Sequence, residues 1–195
     1  LSRWYGPARG PVACVLGPGP WEGFGAGLGA LGYRTIRPST EAEAALSEAG
    51  VTEEATLVGH GPGAVEAVIL AARRPEMVRR LVLIAPEGFG AAPPPSPWAH
   101  RLGRLPLVGP HLTARLSPPA GPLCDEEHRQ VAAAGVPVVA LWLGEAASLR
   151  GPGLLAQWNR TAKQEVLHDL GPDALAAEPG RLVSALRDVL REDWH

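Results

Sequence analysis

Apolar runs of strand length recur along this chain at Val12 to Leu16, Tyr33 to Ile36, Ala55 to Val58, Leu81 to Ala85, Val138 to Leu143 and Glu165 to Leu167. Most are separated by segments of helical period, so the pattern alternates between the two kinds of element. That alternation predicts an α/β fold with a mainly parallel sheet of about six strands, because the crossovers between parallel neighbours are helices that cover both faces. Thr40 followed by Glu43 reads as a capping box, and Asp125 as the cap of a helix running towards Ala134. Val65, Val68, Ile69 and Ala72 share one helical face, as do Leu182, Val183, Leu186, Val189 and Leu190 near the C-terminus. The pattern breaks between Pro86 and Pro122, where Pro93-Pro94-Pro95 and the apolar segment Leu102 to Leu107 lie in a stretch dense in proline and glycine. This stretch, at about residues 87–122, reads as an excursion over the sheet within a single domain spanning residues 1–195.

Composition narrows the classes of function. A chain of 195 residues, 46% hydrophobic, can bury a core without metal or disulfides. A formal charge of -2, with Lys163 the single lysine, leaves no basic field for nucleic acid. No window approaches the roughly 18 apolar residues of a membrane span, and Leu1 to Pro7 lacks the regions of a secretory signal, so a soluble, cytoplasmic protein is expected. Cys14 and Cys124 form neither a metal cluster nor a disulfide pattern, in keeping with a reducing compartment. The 21 prolines and single methionine point to a GC-rich, thermophilic source.

The segment Ala55-Thr56-Leu57-Val58-Gly59-His60-Gly61-Pro62-Gly63-Ala64 reads as strand, Gly-x-x-x-Gly, then helix. It resembles the nucleophile elbow of the α/β-hydrolase family, in which G-x-S-x-G holds a serine at a strained strand-to-helix turn. Val12 to Pro20, with Trp21 and Phe24, is similar to the family's oxyanion strand and loop, with Leu16-Gly17 where His-Gly is usual. Arg73 to Pro86 resembles the helix exit and following strand, and Val136 to Glu145 the strand that delivers the catalytic acid. Leu170-Gly171-Pro172-Asp173, ahead of Glu178-Pro179, resembles the histidine loop. The resemblance implies a shortened hydrolase fold with the first strands missing and the cap reduced. It also implies that Gly61 stands at the nucleophile position, Ala146 and Ala147 at the acid position, and Asp173 at the histidine position.

Those substitutions have a chemical consequence. Glycine offers no nucleophilic atom, and an aspartate with a reference pKa of about 3.9 is a poor proton shuttle near neutrality. The expected protein is therefore a non-catalytic hydrolase-fold binder of a small apolar ligand, or an interaction protein acting as a homo-oligomer or with a different partner. The alternative is a hydrolase of ester-like substrates with a non-standard site using His60, Glu87 or Asp173. The crevice residues expected to meet a ligand are Leu16, Gly17, His60, Gly61, Pro62 and Glu87.

Other residues read more plainly. His60 is expected to pack under the elbow, Glu87 to lie on a loop, and His168 to sit in the last strand. His100, His111 and His128 are expected to be solvated, and His195 is terminal. None has metal-ligand spacing, and no cofactor is expected. Cys124 reads as an ordinary thiol. The glycines from Gly17 to Gly29 suggest a phosphate loop, but Gly17-Pro18-Gly19-Pro20 carries no lysine and its prolines lack amide donors. Trp98, Leu102, Leu105, Leu107 and Val108 read either as a binding patch or as a residual lid.

Overall fold

The computed structural model describes residues 2–51, 54–87, 125–144, 150–171 and 173–191. In chain order the elements are β1 (Arg3–Tyr5), β2 (Val12–Leu16), α1 (Trp21–Ala30), β3 (Arg34–Arg37), α2 (Ala42–Glu48), β4 (Ala55–His60) and α3 (Gly63–Arg73). A 3-10 turn at Pro75–Met77 leads to β5 (Val78–Ile84). Then come α4 (Asp125–Ala133), β6 (Val138–Leu143), α5 (Arg150–Trp158), β7 (Lys163–Leu167), α6 (Ala174–Ala177) and α7 (Pro179–Arg191).

The strands form one seven-stranded sheet in the order β1-β3-β2-β4-β5-β6-β7. The six strands foreseen from the apolar runs are all present and pair in parallel. Ahead of Val12, where no apolar run exists, β1 adds an antiparallel edge against β3. No apolar run marks it because its residues stay largely exposed and pairing holds it in place: Trp4 is exposed and stacks under the Arg34 guanidinium, 4.7 Å from the ring centre.

Successive strand residues face opposite sides, which divides the core in two. Cys14, Leu57, Leu81, Leu83 and Ala140 face a layer closed by α2, α3, α4 and α5. Ala13, Val15, Val58, Val82 and Leu141 face a layer closed by α1, α6 and α7. On the second side α1 approaches its neighbours closely because its alternate residues are glycine. A Cβ on Gly23 or Gly27 would strike Pro179 or Val183 of α7, and one on Gly25 or Gly29 would strike Tyr5 or Gly6. The glycine run is thus a packing device in the helix interior, which accounts for its spacing without a phosphate. The Tyr33 hydroxyl, donating to the Leu190 carbonyl at 3.0 Å, ties the end of α7 to the same layer.

Several local expectations are corrected. The Thr40 capping box does not form: Glu41 is the N-cap of α2 and makes no side-chain cap bond, while the Glu43 carboxylate pairs with Arg74. Asp125 is already helical and pairs with Arg129 one turn on, at 2.6 Å. In α3 the buried face is Ala64, Ala67, Val68 and Ala71, with Val65, Ile69 and Ala72 only half-buried. Small residues win the inner face because the helix sits close on the sheet. His168 lies in the exposed turn after β7. The expectations for Cys124, His100, His111, His195, Ala146, Ala147 and the excursion, including Trp98 to Val108, fall on residues outside those described.

His128 is the largest correction: it is buried to 2% exposure in α4 and stacks on Trp158 with ring centres 5.3 Å apart. Burial holds its imidazole well below the usual range, at about 4. The unfolded chain would take up this proton near pH 6.5 and the folded chain only near 4, so the stabilising contribution is complete above 6.5 and is lost as pH falls between those values. Lowering the pH from 7 to 4.5 should therefore cost about 2 kcal/mol through this residue. Urea midpoints at the two pH values should diverge less for His128→Phe than for the unaltered chain.

Candidate functional site

The sheet's connections reverse direction between β2 and β4. From β2 the chain passes through α1 to β3 on one flank, and from β4 it passes through α3 to β5 on the other. The two exits diverge to opposite faces and open a crevice beyond the strand C-termini, where open α/β sheets bind ligands. Its walls are the loop Gly17-Pro18-Gly19-Pro20 and the turn His60-Gly61-Pro62.

The turn is tight because backbone lies on backbone. A Cβ on Gly63 would fall within van der Waals limits of the Leu16 carbonyl and the Gly17 nitrogen, and one on Gly59 would lie 2.6 Å from the Ala64 Cα. At the tip Gly61 is left-handed, with φ of 55°, yet a Cβ there would meet only a Glu87 carboxylate oxygen at 3.6 Å. The flanking glycines are required by space, whereas the central one is required only by its backbone angle.

The tip is closed by the chain's own hydrogen bonds. The Gly61 N–H donates to the Ile84 carbonyl at 3.0 Å, and its carbonyl accepts from Ala64 at 3.1 Å and Glu87 at 3.2 Å. Pro62 has no amide hydrogen. The exit of β5 folds back over the turn through Ala85, which holds a left-handed φ of 44° while its N–H donates to Leu141 at 2.8 Å. Such a conformation costs a non-glycine residue about 1 to 2 kcal/mol.

His60 and Glu87 flank this tip. The His60 ring is half-buried and meets the Trp21 ring edge-on, 6.1 Å between centres, while the Trp21 indole N–H donates to the Gly17 carbonyl at 3.0 Å. Its Nδ1 faces the Pro18 carbonyl at 3.4 Å, which places the proton on Nδ1. Its Nε2 is buried and has no hydrogen-bond partner among the described residues. Desolvation lowers the His60 pKa, against opposing contributions from the Pro18 carbonyl and the Glu87 carboxylate, so the ring is neutral near pH 7. Glu87 is exposed.

The remaining candidates are placed elsewhere. Asp173 is exposed on the loop before α6, where its carbonyl accepts from Ala176 and Ala177 and its carboxylate lies against Gly171. The helix α6 that follows meets the crevice wall through Leu175, which would clash with a Cβ on Gly19. Leu16 is buried in β2. Cys14 beneath it is fully buried, and burial raises its thiol pKa so that the thiolate does not form near neutrality. A groove of about 420 Å³ begins at Pro62 and follows the outer side of α3 past Val65, Glu66 and Ile69 to Arg73. Desolvation, and secondarily the Glu41 charge, raise the Glu66 pKa there. Sequence periodicity had assigned Val65 and Ile69 to the core and so concealed this groove.

The two kinds of glycine make a quantitative contrast. Gly63→Ala should lose about 3 kcal/mol, because neither contacting backbone can move without parting α3 from β2. Gly61→Ala should lose only about 1 kcal/mol, the left-handed penalty alone. Urea denaturation of both variants measures the difference.

No protein-family model matches the chain, and no curated protein sequence does. Solved structures do resemble it. An α/β hydrolase enzyme from the metagenome of sediments of the lagoon of Mar Chica, Morocco, superposes with a TM-score of 0.69 at 14% identity, covering 97% of this chain and 94% of that one. The enol-lactonase of Burkholderia xenovorans gives 0.69 at 16% identity, covering 98% and 96%. The thioesterase domain from the curacin biosynthetic pathway gives 0.63 at 16% identity, covering 95% and 93%. Similarity of shape over nearly the whole chain at such low identity establishes architecture and not chemistry: the chain has the α/β-hydrolase fold.

Proposed function

We propose that this chain is a non-catalytic protein built on the α/β-hydrolase fold, using its crevice for a small apolar ligand or its surface for a partner. The observation that carries the reading is the turn Gly61-Pro62, seen against the chemistry of acyl transfer. That reaction needs a nucleophile, a base oriented by an acid, and two amide donors for the oxyanion. One of those donors is the N–H of the residue after the nucleophile, and the other comes from the loop after the oxyanion strand. Here the first position is Pro62, and the second loop reads Gly17-Pro18-Gly19-Pro20. Losing a single oxyanion donor typically costs about 3 to 4 kcal/mol of transition-state stabilisation. Gly61, Ala147 and Asp173 at the three side-chain positions add the loss of nucleophile, acid and base.

A second reading rests on the unpartnered Nε2 of His60 beside the Glu87 charge. A water held there could be activated by the neutral imidazole.

Short-chain aryl esters separate the two. The purified chain should hydrolyse them no faster than the same protein after heat denaturation, and Gly61→Ser should not confer turnover because Pro62 still denies the oxyanion its amide. Turnover that disappears in both His60→Ala and Glu87→Gln would instead establish the water-activating site.

A further inference from the structure

The groove beside α3 has a volume of about 420 Å³, within the range of small-molecule sites. It runs from Pro62 along α3, opposite the start of α2. Its apolar lining comes from half-buried Val65 and Ile69 and from buried Leu70 and Ala42.

The charged groups of the groove are sorted along its length. Glu66 stands one turn from Pro62, and Glu41, the N-cap of α2, lies near enough for its charge to act on Glu66. Arg73 is seven residues beyond Glu66, about 10 Å further along the helix axis. That exceeds the screening length of about 8 Å at physiological salt, so Arg73 does little to neutralise the two acids. Glu43, the remaining acid of the lining, is taken by Arg74, which also holds Glu76 at 2.6 Å. Among the described residues Glu41, Glu66 and Arg73 form no ion pair.

We infer that this groove binds a primary ammonium carried on an unbranched apolar chain, with the ammonium between Glu41 and Glu66 and the chain lying along Val65 and Ile69. Each alternative occupant fails on one part of the lining. An anionic amphiphile would meet two like charges. A neutral apolar molecule would strip water from both carboxylates and give them no partner in return. A hard divalent cation takes about six to eight oxygens, of which two carboxylates supply at most four, and it gains nothing from the apolar lining. An ammonium brings three N–H donors to the two carboxylates and relieves their repulsion, while its chain removes the exposed flanks of Val65 and Ile69 from water. The site lies apart from the crevice between the Gly17 loop and the Gly61 turn, and it stands whether or not esters are turned over there.

The test is an amide chemical-shift titration of the full chain with n-butyl-, n-pentyl- and n-hexylammonium, and with n-hexanol as the uncharged control. Shifts are expected at residues 62–73 and 41–43, with affinity rising about threefold to fourfold for each added methylene. The alcohol should bind at least fivefold more weakly than n-hexylammonium. Glu66→Gln should weaken n-hexylammonium about fivefold, and Glu41→Gln with Glu66→Gln more than tenfold. The urea midpoint of Glu66→Gln should equal or exceed that of the unaltered chain, because a like charge is removed, so its lost binding is not lost folding. Absence of shifts at residues 62–73 overturns the inference. So does affinity indifferent to chain length, equal binding of the alcohol, or displacement of n-hexylammonium by an equal concentration of calcium, which would mark a bare attraction of counter-ions.

Discussion

The close approach of two backbones at the first turn of α3 is the constraint on which the rest of the structure depends. Gly63 sits against the Leu16 carbonyl and Gly17 nitrogen, and Gly59 against Ala64, so helix, nucleating turn and two parallel strands form one contact with no side chain between them. That contact brings α3 down onto the sheet, which is why its inner face is alanine and valine. It also sets the exits of β2 and β4 face to face and so defines the crevice. Any side chain at Gly63 would separate the halves of the sheet where its topology reverses.

The polar groups at that junction are satisfied internally. Ile84 and Glu87 take the hydrogen-bonding capacity of Gly61, and the strained Ala85 lets β5 double back far enough to do so. An unmade backbone hydrogen bond in such a place would cost about 1 to 3 kcal/mol. The Gly61 amide is committed to the Ile84 carbonyl and Pro62 carries none, so the tip is held by the chain's own hydrogen bonds.

Charge is distributed with similar economy. Ion pairs among the described residues, such as Arg129 with Asp125 and Arg181 with Asp169, are exposed and contribute little each. The groups with lowered imidazole pKa values, His128 and His60, owe the shift chiefly to loss of water. One stacks beneath Trp158 as part of the core; the other opens onto the crevice beside Glu87. Burial alone does not distinguish a histidine of the core from one facing the crevice, and position relative to the topological reversal does.

The amino-acid sequence by itself determined the alternation of strand and helix, the six parallel strands, and the glycine pattern of the elbow, because periodicity and close-packing residues are local properties of a chain. Only the tertiary structure decided which flank of each helix is covered. Val65 and Ile69 line a groove and His128 lies in the core, because coverage is set by elements distant in sequence. The short strand Arg3–Tyr5 exists only through pairing with β3, and Pro62 and the Gly17 loop become neighbours only because the turn faces that loop across a shared crevice. A single position has a residue type, but its neighbours are assigned by the fold.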